Sequence, residues 1–89
     1  MNKEKIQKIV IEKIAEILQV NPVNDMKAYE KSDCDLMKDI GLDSILLIQL
    51  VVELENIFGI TFELERMEIE QVRNFNKLID YISKQNKIT

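Results

Sequence analysis

The chain has 89 residues, enough for one small domain, and its share of hydrophobic residues, 46%, is normal for a globular protein. It contains no histidine and a single cysteine, which excludes Ser-His-Asp and Cys-His catalysis and an internal disulfide. The net charge is −4, and residues 43–72 hold seven acidic residues against one arginine. This distribution argues against nucleic acid as a partner, and it leaves two readings open, a surface for a basic protein partner or simply a solvated acidic face.

No apolar stretch approaches the roughly 20 residues that span a bilayer. The chain starts MNKEK, with interspersed charges and no apolar signal region after them. We therefore expect residues 1–89 to form a single cytoplasmic domain without a membrane span.

The first predicted element is an amphipathic helix over residues 3–18. Lysine and glutamate fill one face, and Asn21-Pro22 prevents the helix from continuing. The opposite face carries apolar residues at three- and four-residue spacing, namely Ile6, Val10, Ile14, Ile17 and Leu18.

Residues 21–43 form a long polar connection, and loops of this length in a compact domain are usually functional or disordered. We expect Leu36 and Ile40 to anchor the loop in the core, with Met37 as a third candidate. Gly41 permits a sharp change of direction just before the next helix.

The second predicted helix covers residues 44–58. Either Asp43 or Ser44 serves as its N-cap, and Gly59 stands where a C-terminal glycine belongs. At 100° per residue, one face collects enough apolar side chains for a core, namely Leu47, Leu50, Val51, Leu54, Ile57 and Phe58.

Three further apolar residues of this helix, Ile45, Ile48 and Val52, fall outside that face and close to Ser44. Contiguous exposed apolar surface marks interaction sites. The periodicity leaves two readings open: either these residues form an exposed patch, or the loop of residues 21–43 covers them.

A short third helix is predicted around residues 64–69 and a last helix over residues 74–84. The apolar stripe of the last helix consists of Phe75, Leu78, Ile79 and Ile82. The predicted fold class is all-α, a four-helix bundle with three longer helices, one short one, and a long loop between the first two.

Ser44 is the strongest candidate functional residue. At the start of a helix its hydroxyl faces solvent beside backbone N–H groups that lack intrahelical partners, a setting that suits a phosphate. Cys34 has no second cysteine or histidine with which to act. Asp33, Asp35 and Asp39 lack the glycine and glutamate of a calcium loop, so we expect no metal site.

Residues 36–45, LMKDIGLDSI, resemble the attachment site of the acyl carrier and peptidyl carrier proteins, in which a D-S-L or D-S-I serine opens the second helix of a four-helix bundle. The resemblance covers nearly the whole chain, because further positions fit the family pattern: Leu50, Leu54, Glu55, Phe58, Phe62, Val72 and residues 78–82. Motif, context, length and acidity agree with one another.

The resemblance implies that a phosphopantetheinyl transferase moves 4'-phosphopantetheine from coenzyme A to the hydroxyl of Ser44. The thiol of that arm then carries an acyl, aminoacyl or peptidyl group as a thioester to loading, condensing and releasing enzymes. The carrier performs no chemistry itself and is expected to be a monomer. Asp43 supports the attachment site.

The partner surface implied by the resemblance has an apolar part and an acidic part. Leu42, Ile45, Ile48 and Val52 form the apolar part. Glu53, Glu55 and the acids of the third helix steer basic partners, which raises the association rate more than the affinity.

One departure concerns the pathway. Many carriers of fatty acid synthesis have acidic residues early in the second helix, where this chain has Leu46, Leu47 and Gln49. We therefore expect a discrete carrier of a polyketide, nonribosomal-peptide or other specialised pathway. The alternative is a non-enzymatic helical adaptor that binds a partner through the apolar residues of the second helix. A small enzyme is disfavoured by the missing histidine.

Overall fold

The computed structural model describes residues 2–19, 29–30, 33–63 and 69–85. Helix α1, Lys3–Leu18, begins after Asn2, whose side-chain oxygen accepts a hydrogen bond from the backbone N–H of Lys5 at 2.8 Å. It ends at Gln19, which adopts the left-handed conformation with φ 58°. The predicted helix over residues 3–18 is confirmed, while Asn21-Pro22, its predicted stop, lies outside the described residues.

Helix α2, Ser44–Phe58, is confirmed with the predicted bounds. Asp43 is the N-cap, because its side chain accepts a hydrogen bond from Leu46 N at 2.8 Å. Gly59, with φ 65°, closes the other end, where its N–H donates to the carbonyl of Glu55.

Helix α3, Glu70–Arg73, is a single turn, and helix α4, Phe75–Gln85, follows it directly. The short helix predicted over residues 64–69 lies outside the described residues except for Ile69, which forms a turn before α3. The last helix begins one residue later and ends one residue later than predicted. Asn74, at the junction, accepts a hydrogen bond from Lys77 N at 3.1 Å.

Helix α1 packs against α2 and α4, and α3 contacts both α2 and α4. The described residues contain no strand; their one extended pairing is an isolated antiparallel bridge between Asp35 and Asn74. The predicted all-α, four-helix fold class is confirmed. No described helix combines the length and the apolar character needed to cross a bilayer.

The core is formed by one face of each long helix and by residues of the loops. In α2 the buried residues are Leu47, Leu50, Val51, Leu54 and Phe58. Ile57, predicted on this face, is instead 44% exposed. It lies four residues after Glu53, at the edge of the apolar stripe, so it turns partly toward solvent.

Candidate functional site: an exposed serine at the start of α2

The loop of residues 33–43 is anchored in the core just before Ser44. Leu36 is fully buried, as predicted, and Met37 and Ile40 are partly buried against the core. The N–H groups of Gly41 and Leu42 both donate to the carbonyl of Leu36, at 3.1 and 2.9 Å. The loop is therefore closed on itself immediately before α2.

Gly41 makes the sharp turn that its position predicts. Its φ is +101°, a conformation that side chains with a Cβ rarely adopt. The chain then passes through extended Asp43 into the first turn of α2.

Ser44 is the first residue of α2 and its side chain is exposed. The carboxylate of Asp43 caps Leu46 N, and the carbonyl of Asp43 accepts from Leu47 N at 2.9 Å. Within the described part of the chain, the N–H groups of Ser44 and Ile45 have no such acceptor. An exposed hydroxyl therefore lies next to two available donors at the positive end of a helix dipole.

This setting fits a phosphate ester on the serine oxygen. The oxygen is accessible to an incoming group, and a phosphodiester there would be stabilised by the helix terminus. The cap belongs to Asp43, so the Ser44 hydroxyl is not needed to hold the helix end together.

Three apolar side chains next to the serine are exposed: Ile45 at 74%, Ile48 at 55% and Val52 at 48%. Of the two readings that the sequence left open, the exposed patch is therefore the one that the structure favours. We refer to Ile45, Ile48 and Val52 as the apolar patch. They lie on the side of α2 opposite its core face.

Leu42, predicted as a fourth member of this surface, is only 2% exposed. It belongs to the core, because the loop turns inward at this residue between Gly41 and Asp43. The prediction that Leu42 lies on the partner surface is therefore wrong.

The two glutamates of α2 also make contacts within the chain. Glu53 faces α1, with its carboxylate 3.6 Å from Nζ of Lys13. The pKa of Lys13 is raised, chiefly by a hydrogen bond to Glu16, against an opposing effect of burial and with a further contribution from Glu53. Glu53 is thus partly neutralised and less suited to steering a partner than its sequence position predicted.

Glu55 accepts a hydrogen bond from Phe62 N at 2.7 Å and so holds the segment that follows α2. Its carboxylate therefore already has a hydrogen-bond partner within the chain. Of the acids expected in the third helix, Glu65 and Glu68 lie outside the described residues.

Asp35, for which the sequence predicts no metal-binding role, organises the loop of residues 33–43. One carboxylate oxygen accepts from Met37 N and Lys38 N, at 2.8 and 3.0 Å, and the other accepts from Nε of Arg73 at 3.0 Å. Burial raises the pKa of Asp35, but the bonds from Lys38, Met37 and Arg73 outweigh it, and the net pKa is lowered. Arg73 is too distant in sequence for any local pattern to have paired it with Asp35.

Known proteins are similar to this chain over most of its length. A family model described as "Phosphopantetheine attachment site" matches residues 8–82. Acyl carrier proteins of Buchnera aphidicola subsp. Acyrthosiphon pisum are 33% identical in strains Tuc7 and APS and 32% identical in strain 5A. Each alignment spans 83 residues, 93% of this chain and 90% of the relative. No solved structure gave a significant match. The chain therefore belongs to the acyl carrier protein family, whose members carry acyl groups on phosphopantetheine.

Proposed function

We propose that this chain is a discrete carrier whose phosphopantetheine is attached to Ser44 by a phosphopantetheinyl transferase. The observation that carries the proposal is the position of Ser44, exposed at the first residue of α2 after a closed loop. The chain has two other serines. Ser83 is half-buried near the end of α4, and Ser32 lies outside the described residues.

In the proposed transfer, the Ser44 oxygen forms a bond to the phosphorus that bears pantetheine as the pyrophosphate bond of coenzyme A breaks, and adenosine 3',5'-bisphosphate leaves. The serine proton goes to a base of the transferase, because Asp43 is engaged with Leu46 N and the chain has no histidine. Once attached, the group supplies a terminal thiol that holds the cargo as a thioester. Tethering keeps the cargo at high local concentration near each partner enzyme.

The test is incubation of the purified chain with coenzyme A, magnesium and a broad-specificity transferase, followed by intact mass spectrometry. We expect each chain to gain one phosphopantetheine, located at Ser44 by fragmentation of the modified peptide. A chain that stays unmodified while a control carrier reacts would contradict the proposal and favour the adaptor alternative.

The proposal includes the apolar patch as the docking surface for the transferase and the acyl-handling enzymes. The patch lies on the turns that follow Ser44, so a partner bound there would have the serine within reach. Apolar contact would provide affinity, and the acidic character of residues 43–72 would attract basic partners.

Ile48→Asp should leave the helical fold intact and raise the KM of the transferase for this carrier by about tenfold, because Ile48 is 55% exposed. Circular dichroism and transferase kinetics measure the two effects. The matched control is Asn56→Asp, which adds the same charge at an exposed position of the same helix without removing an apolar side chain. Loss of the fold in Ile48→Asp would show that Ile48 is a core residue instead.

We also propose that the carrier serves a polyketide, nonribosomal-peptide or other specialised pathway rather than primary fatty acid synthesis. The first turn of α2 holds no acidic residue. Leu47 is buried and does not bear on the surface, so Leu46 and Gln49 carry this part of the proposal. A less acidic, more apolar surface after the serine selects partners with a matching surface.

Intact mass spectrometry of the protein from its native host tests the pathway. We expect a cargo other than the ladder of saturated acyl chains that fatty acid elongation produces. Such a ladder on Ser44 would overturn the specialised-pathway proposal and leave the carrier role standing.

A further inference from the structure

The loop that leads to Ser44 is tied to the junction between α3 and α4. Leu36 N donates to the carbonyl of Arg73 at 2.6 Å, and Phe75 N donates to the carbonyl of Cys34 at 2.9 Å. Between these two backbone bonds, the Arg73 guanidinium donates to the Asp35 carboxylate at 3.0 Å. We call the Asp35–Arg73 ion pair the clasp.

The carboxylate of Asp35 binds Arg73 and also holds the turn of residues 35–39. One oxygen faces Arg73, and the other accepts from the backbone N–H groups of Met37 and Lys38. Asp39 completes the turn, because its side chain accepts from Asp35 N at 2.8 Å and its N–H donates to the carbonyl of Asp35 at 2.7 Å. The Asp35 side chain therefore adds a further link to the two backbone hydrogen bonds between this turn and the α3–α4 junction.

The turn is also connected to Ser44, through backbone hydrogen bonds and buried side chains. The carbonyl of buried Leu36 accepts from the N–H groups of Gly41 and Leu42, and Leu42 is itself buried. Asp43 then caps α2 directly before Ser44. Because each of these segments is hydrogen-bonded or buried, a displacement of the clasp is expected to move the loop as one body.

The clasp also differs from an ordinary surface ion pair. The side chains of Arg73 and Asp35 are only 26% and 23% exposed. Removing one partner leaves the other charge partly buried and unpaired, which costs more than the loss of an exposed pair.

We propose that Asp35 and Arg73 are positioning residues for Ser44, an inference that rests on the proposed attachment at this serine. The clasp fixes the loop against the α3–α4 junction and so sets the direction in which the hydroxyl is presented to the transferase. Neither residue touches the reacting atoms. A misplacement of about 1 Å is enough to slow a group transfer by up to about a hundredfold.

The test is Arg73→Gln, which breaks the clasp without touching the turn. We expect the kcat of phosphopantetheine transfer to fall about tenfold while the KM stays within about twofold, because the apolar patch is unchanged. Ile48→Asp should instead raise the KM and leave the kcat nearly unchanged. Arg73→Lys, which keeps the positive charge, should give an intermediate kcat.

The matched control is Asp80→Asn, which breaks the exposed Lys3–Asp80 pair between α1 and α4 and leaves the loop contacts in place. Its kcat should equal that of the wild type. Urea unfolding at the assay temperature shows whether each variant is folded, since a purely structural effect would lower the rate only in proportion to the unfolded fraction.

A folded Arg73→Gln variant with wild-type kcat would overturn the positioning role. If that variant does not fold, the double variant Asp35→Asn/Arg73→Gln replaces it, because it leaves neither charge unpaired. A reduced kcat of the double variant supports the proposal, and a wild-type kcat overturns it. A wild-type chain that is never modified contradicts the attachment at Ser44 instead, so the two failures are distinguishable.

Discussion

Ser44→Ala is expected to abolish phosphopantetheine transfer under conditions that convert the wild-type chain completely. Alanine has no oxygen on which a phosphodiester can form, and no other described serine opens a helix. Intact mass spectrometry measures the result directly. The variant should keep the mass of the unmodified chain even after prolonged incubation with coenzyme A, magnesium and transferase.

The fold of Ser44→Ala should be unaffected, which makes the loss interpretable. The N-cap of α2 is Asp43, so removal of the Ser44 hydroxyl does not cost a capping bond. Alanine also has the higher helix propensity. We expect the free energy of unfolding to change by no more than about 0.5 kcal/mol, measured by urea unfolding.

Ser83→Ala is the matched control, since it removes a hydroxyl from another helix, α4. It should be modified at the wild-type rate. Phosphopantetheine on the Ser44→Ala chain, or its loss from Ser83→Ala, would place the attachment at another residue.

Helix α2 was predictable to the residue because its ends carry local signals. Asp43 and Gly59 bound α2 in the structure as they do in the sequence. The single turn α3 has no side-chain cap at Ile69, and a helix this short depends on its tertiary contacts. Nothing local marked its position.

The candidate site likewise has some features that depend on local sequence and others that depend on tertiary packing. Ser44 followed from a helix start, which is a local property. Periodicity separated Ile45, Ile48 and Val52 from the core face, but it left open whether they are exposed. The Asp35–Arg73 and Lys13–Glu53 pairs join residues that are far apart in the sequence. These two ion pairs and the burial of Leu42 depend on how the segments pack together. The periodicity of one helix carries no information about such packing.

Leu54→Ala is expected to lower the free energy of unfolding by about 3 kcal/mol. Leu54 is fully buried in the core face of α2, so the shorter side chain loses transfer free energy and leaves a cavity. A domain of this size has a total stability of about 5–10 kcal/mol. The melting temperature should therefore fall by roughly 10–20 °C.

Val52→Ala is the matched control for this prediction. It lies two residues earlier on the same helix and is 48% exposed, and both substitutions gain helix propensity from alanine. Its effect on stability should stay within about 0.5 kcal/mol. Equal destabilisation by the two variants would mean that Val52 belongs to the core and not to the apolar patch.

The pair also separates the two faces of α2 by function. At a temperature where both variants are fully folded, Leu54→Ala should be modified at the wild-type rate, because Ser44 and the apolar patch are unchanged. Val52→Ala should show a raised KM for the transferase despite its normal stability. The crossed result is expected because one face of the helix packs in the core while the other is the proposed docking surface.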